Sequence, residues 1–132
     1  MGNFNQWIDD HGGNRFEWGK WDCSLAVAHW IKTATGCTAY DDIVGTYSTP
    51  LGAYRLINSM GGLDAICDKY LIRKQTTFAQ TGDVHLLRDG RRVSLAIDAG
   101  KQVFCSTTTG FKFVNKKRVK IEGTWGVNIC HK

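Results

Sequence analysis

Asp83-Val84-His85-Leu86-Leu87-Arg88, then Asp89-Gly90, then Arg91-Arg92-Val93-Ser94-Leu95-Ala96-Ile97 is the stretch that decides the fold. From about Arg73 the period is two, that of strands, and an Asp-Gly pair between two such runs marks a tight hairpin. With Asp89-Gly90 as a two-residue loop, Arg88 pairs with Arg91, His85 with Ser94 and Leu87 with Arg92. Residues 85, 87, 92 and 94 then share one sheet face, and Val84, Leu86, Val93 and Leu95 share the other. Beyond the hairpin, Ala99-Gly100 leads into a strand at Gln102-Val103-Phe104-Cys105, and more strands are predicted around 111–114, 118–121 and 125–129.

Upstream the pattern is helical. Asn3 or Asn5 caps a short helix carrying Phe4, Trp7 and Ile8, which Gly12-Gly13 ends. An aromatic loop, Arg15-Phe16-Glu17-Trp18-Gly19-Lys20-Trp21, delivers Asp22 as N-cap of a helix from Cys23 to Thr35, closed by Gly36. Val27, Trp30, Ile31 and Ala34 give that helix an apolar stripe. Residues 40–44 predict a helical turn. Ser48-Thr49-Pro50 starts a further helix with Leu51, Tyr54, Leu56 and Ile57 as its buried face and Gly61-Gly62 as its end. Residues 64–70 predict the last helix. Helices first and strands second define an α+β fold, N-terminal helices on a C-terminal antiparallel sheet, in one domain over residues 1–132.

At 132 residues and 42% hydrophobic content, the chain has material for one core. No stretch approaches the ~18 apolar residues of a membrane span. The first ten residues lack the basic-then-apolar order of a signal peptide, which predicts synthesis and folding in the cytoplasm. Five cysteines without a Cys-x-x-Cys pair predict reduced, mostly buried thiols, and only Cys130-His131 lie close enough to suggest metal ligands, so neither metal nor cofactor is expected. The net charge of +5 is densest at Lys112, Lys116, Lys117, Arg118 and Lys120, which reads as a solvated basic strand face; no nucleic-acid module accompanies it.

Cys23 is the residue that points to chemistry. It opens a helix, where unpaired N–H groups and the macrodipole favour a thiolate, the setting of a nucleophilic cysteine. The plainer reading is a small buried hydrophobe, one cysteine among five.

Asp22-Cys23-Ser24 at a helix start, Gly82-Asp83-Val84 opening a strand, and Val93-x-Leu95-x-Ile97 running to Gly100 occur in an order that resembles the NlpC/P60 family of papain-like cysteine peptidases, which cleave peptidoglycan stem peptides. Phe16-x-Trp18-Gly19, Asp22-Cys23, Thr35-Gly36, Tyr47-Ser48-Thr49, Gly61-Gly62, Gly82-Asp83 and Trp125-Gly126-Val127 are similar to an uncharacterised family encoded in tailed-phage and prophage clusters. That likeness implies a tail or tail-assembly role with other tail proteins as partners, in the host cytoplasm during assembly and then in the virion.

The resemblance also locates a loss. The NlpC/P60 pattern places its histidine base immediately before the second hairpin strand, where this chain has Arg92, and its third, polar residue near Phe104. Arginine stays protonated and cannot take the thiol proton, and phenylalanine cannot orient an imidazole. His29, six residues beyond Cys23, is about 9 Å along the helix and some 120° around it. His11 and His131 read as solvent-facing. His85 shares the sheet face of the expected base, displaced by ~7 Å. Arg92 beside the helix would lower the Cys23 pKa. Two readings follow: a catalytically degenerate NlpC/P60-like tail component, or an active peptidase or amidase on stem peptides that uses Cys23 with a relocated His85. For the first, the binding candidates are Arg15, Trp18, Lys20, Trp21 and Arg92, with the basic segment 112–120; the tryptophans can equally pack under the Cys23 helix.

Overall fold

Capping chemistry sets the helical half of the chain. The computed structural model describes residues 3–130, with side chains through residue 127. The helices are α1 (Phe4–His11), α2 (Cys23–Thr35), α3 (Ala39–Ile43), α4 (Pro50–Ser59) and α5 (Leu63–Tyr70). The Asn3 side chain accepts from the N–H groups of Asn5 and Gln6, Asp22 from Ser24 and Leu25, and Thr49 from Gly52. Gly36 ends α2 at φ +77°, a left-handed position that glycine occupies at least cost.

Six strands follow: β1 (Leu71–Lys74), β2 (Val84–Asp89), β3 (Arg92–Asp98), β4 (Gln102–Thr107), β5 (Gly110–Asn115) and β6 (Lys120–Cys130). They form one antiparallel sheet in the order β1-β6-β2-β3-β4-β5. The architecture is α+β. β6 runs as one strand where two were expected, and it supplies the ladder for both β1 and β2. Its register slips at Glu122, between the partners of Leu86 and Leu87, next to Gly123, where a Cβ would lie 2.8 Å from the Trp125 ring.

The hairpin differs from expectation in its turn. Asp89 pairs with Arg92, so the loop is Gly90-Arg91, with positive φ at Gly90 alone. His85 therefore faces Ala96 and Leu87 faces Ser94. The two faces are unchanged, because moving the loop by one residue shifts partners by two.

α2 lies across the face carrying Val84, Leu86, Leu95, Ile97, Phe104, Trp125 and Val127, and Leu25, Val27, Trp30 and Ile31 close the core against them. Trp30 is a keystone: its indole N–H donates to the Gly82 carbonyl at 2.7 Å, and a Cβ on Gly82 would come within 3.0 Å of its ring. A smaller cluster of Leu87, Ala96 and Val103 covers the opposite face. On α4 the buried stripe is turned from that expected. Ala53 is buried and Leu56 and Ile57 half-buried, while Leu51 and Tyr54 stand 56% and 64% exposed. Gly52 against Tyr47 sets that rotation, since a Cβ there would already crowd Tyr47 at 3.1 Å.

Candidate functional site

A two-residue bridge between Glu17 and Trp21 folds the aromatic loop back on itself. Gly19 makes its turn at φ +83°, and a Cβ there would sit 1.7 Å from the Tyr47 carbonyl oxygen. The buried Asp22 carboxylate gathers the surroundings: besides capping α2 it accepts from the Gly19 N–H at 3.1 Å and from the Tyr47 hydroxyl in a short hydrogen bond. Three pieces of the sequence motif, Gly19, Asp22 and Tyr47, are thus one hydrogen-bonded unit that positions Cys23.

Cys23 opens α2 with a half-buried, free thiol. Its pKa is raised, first by burial and then by the neighbouring Asp22 carboxylate, so the thiol is protonated at neutral pH. The sequence-based expectation of a lowered pKa is reversed. The helix terminus contributes only about 0.3–1 kcal/mol, less than one pKa unit, while burial can shift a group by several.

The thiol opens into a cleft of about 300 Å³. β3 and β4 pair only at Ile97–Phe104 and Asp98–Val103 among the described residues, and beyond those pairs they diverge. Arg92 and Ser94 line one wall, Cys105 and Ser106 the other, with Phe16 and Trp18 also lining the cleft, 5.0 Å apart edge to face. Arg92 and Cys23 both line this cleft, and no histidine lines it among the described residues.

His85 lies elsewhere. It is fully buried, with Nε2 2.8 Å from Asp98 Oδ2 and Nδ1 2.9 Å from Thr124 Oγ1, which meets the Thr76 hydroxyl at 2.8 Å. Lys116 pairs with the same Asp98 oxygen. Burial alone would raise the Asp98 pKa, but the hydrogen bonds from His85, Lys116 and the Gly100 N–H hold it below its ordinary value. The structure therefore does not bring His85 and Cys23 together: both ring nitrogens are engaged within the cluster. Phe104, which the NlpC/P60 resemblance would place near its third, polar residue, sits in aromatic core against Phe4 and Trp7.

The remaining candidates divide by exposure. Arg15 and Lys20 are exposed, Lys20 in an ion pair with Glu17, and Trp18 is half-buried. Trp21 is buried, its ring stacked 5.8 Å from Trp7. Lys112 stands in the cleft, whereas Lys116 is folded onto Asp98. His11 is half-buried on His29 at 4.5 Å rather than facing solvent. His29 accepts the Trp7 indole N–H on Nδ1, and burial, then the charges of His11 and Lys32, lower its pKa. His131 lies outside the described residues. Cys37 is disulfide-bonded, which corrects the expectation of reduced thiols at that position, while Cys23, Cys67 and Cys105 are free. Lys112 came with the basic segment 112–120, but Cys105 in the cleft, and Asp98 and Thr124 on His85, escaped the sequence reading, because no local pattern marks partners brought in from separate strands.

Among the described residues no group of three or more His, Cys, Asp or Glu side chains is placed to hold a metal ion, and no helix is long and apolar enough to cross a membrane. Residues 2–127 match the family described as Domain of unknown function (DUF6950), and the chain belongs to that family. No curated protein and no solved structure matches it.

Proposed function

We propose that this DUF6950 domain is a degenerate relative of the papain-like NlpC/P60 peptidases, one that works by binding, as a structural or assembly component of a tailed-phage tail. The observation that carries the reading is the content of the cleft. Cys23 shares it with Arg92, a permanent cation at the position the NlpC/P60 pattern gives to the base, and its thiol is held protonated. A general base contributes ~10²–10⁴-fold to such a reaction, so its replacement removes useful turnover. His85 would have to leave Asp98 and Thr124 to serve as a substitute. The partners are other tail proteins, met in the host cytoplasm during assembly and then in the virion; a peptidoglycan stem peptide is the second candidate ligand. The tail assignment rests on the phage-family likeness of the Phe16–Cys23 loop and its companion motifs.

The test is tail assembly in a phage carrying single variants. Cys23→Ser is expected to give normal particles, and Trp18→Asp, in the cleft, to reduce them. Normal particles with Trp18→Asp and none with Cys23→Ser would return the function to the thiol. Stem-peptide hydrolysis that Cys23→Ala abolishes would restore the peptidase reading, with loss in His85→Ala identifying the base.

A further inference from the structure

The cleft beside Cys23 has a composition of its own. Its lining comes from both faces of the sheet: Leu95 and Ser106 from the helix side, Arg92, Cys105 and Lys112 from the other. It is therefore a gap between strands rather than a hollow on one face. Residues 92–96 of β3 and 105–107 of β4 border the gap with no ladder between them, and backbone N–H and C=O groups on such edges are ready partners for another extended chain.

Charge selects among the chains that could enter. Arg92 and Lys112 come from different strands to the same cleft, no acidic side chain lines it, and neither cation has an ion pair or side-chain hydrogen bond among the described residues. Elsewhere Arg88 pairs with Glu122, Lys74 with Asp83 and, just beyond β5, Lys116 with Asp98, while Lys120 on β6 has no ion pair among the described residues. Serine hydroxyls at 94 and 106 add donors, while Leu95 offers apolar contact on the helix side and Val114 on the other. A volume of about 300 Å³ holds a short stretch of peptide, at the small end of ligand pockets.

We infer that the gap between β3 and β4 is a docking site for an extended acidic segment of a partner protein, whose carboxylate sits between Arg92 and Lys112 and whose alternate side chains face Leu95 on the other side of the sheet. The inference rests on the reading of this cleft as a binding site and names the chemistry of its ligand.

The experiment is an NMR titration of the ¹⁵N-labelled protein with acetyl-Val-Glu-Val-Glu-Val-amide, its Gln counterpart and inorganic phosphate. The Glu peptide is expected to shift the amides of residues 92–96 and 105–107 saturably, and more weakly as salt is raised. Loss of a charge-assisted hydrogen bond corresponds to about tenfold in affinity, so the Gln peptide, Arg92→Gln and Lys112→Gln should each weaken binding about tenfold. Lys101→Gln removes an exposed charge at the far end of β4 and should stay within about twofold. Equal binding of the two peptides, shifts confined to other segments, phosphate matching the peptide in shifts and affinity, or no saturable shift at all would each overturn the inference. Cleavage of the Glu peptide that Cys23→Ala abolishes would instead overturn the non-catalytic reading while leaving the docking result standing.

Discussion

The cleft at Cys23 and the cluster at His85 share strand β3 and have opposite characters. The cleft is lined by a half-buried, protonated thiol and by two exposed cations without an ion pair among the described residues. The cluster buries an imidazole, a carboxylate and a threonine hydroxyl, and every polar atom of those three side chains has a partner. A nucleophile and a base contribute to one reaction only when they touch, and here the groups with those capacities are divided between two sites. Low exposure and full hydrogen bonding make the His85 cluster a structural joint across β2, β3 and β6. Unpaired charge beside an interrupted ladder makes the Cys23 cleft the surface on which something else can act.

Asp98→Ala strikes the joint hardest. It leaves His85 without its Nε2 partner and the Lys116 ammonium without its counter-ion, and breaking a buried pair in this way costs about 3–5 kcal/mol. Urea unfolding should report that loss; a change under about 1 kcal/mol would mean that the cluster is not a joint. The same carboxyl gives a pH signature. Its pKa is lowered in the fold, so its stabilisation is present above the ordinary carboxylate value near 3.8 and is lost as pH falls through the folded value. Acid unfolding of the wild type should steepen below that point, and the variant should lack the step.

Gly19→Ala addresses the cleft side. A Cβ at φ +83° and 1.7 Å from the Tyr47 carbonyl forces the loop off Tyr47, at roughly 2–3 kcal/mol. Thermal unfolding measures it, and the accompanying rise in Cys23 alkylation would show that the Gly19–Asp22–Tyr47 unit shields the thiol.

A smaller effect is expected at His29, which belongs to neither site and serves as a reference. Its lowered pKa means that the fold favours the neutral ring. Stability is full above about pH 6.5, the unfolded value, and falls as pH drops toward the folded one. The Tm of the wild type should decline over that window, and His29→Asn, which keeps an acceptor near Nδ1 for Trp7, should flatten it. The smallest change is Cys23→Ser, expected to alter stability by about 0.5 kcal/mol or less, as for a half-exposed site with no strong partner. Alkylation of Cys23 at neutral pH should be slower than that of cysteine in a free peptide, and a faster rate would reverse the reading of the thiol.

Much of the fold was legible without coordinates. Asn3, Asp22, Gly36 and Thr49-Pro50 announce helix ends because a cap needs one side chain or one left-handed residue at one place. Period two from about residue 73 announces the sheet, and the faces of the hairpin survive a wrong turn because parity is conserved when partners shift by two. The motifs around Cys23 located the cleft's cysteine, its arginine, Phe16 and Trp18, but not Ser94, Cys105 or Ser106 on the facing strands.

Local sequence determined element type, element ends and which side chains share a face, since these depend on backbone torsions and periodicity over a few neighbours. Tertiary structure decided which residues meet. His85 finds Asp98 at a separation of 13 residues and Thr124 at 39, across strands whose order in the sheet differs from their order in the chain. The divergence of β3 and β4, the burial of Trp21 beside the half-buried Trp18, and the protonated state of Cys23 have the same origin. Each depends on what packs against the group from distant parts of the chain, and burial and charge at close range outweigh the local helix-terminus field.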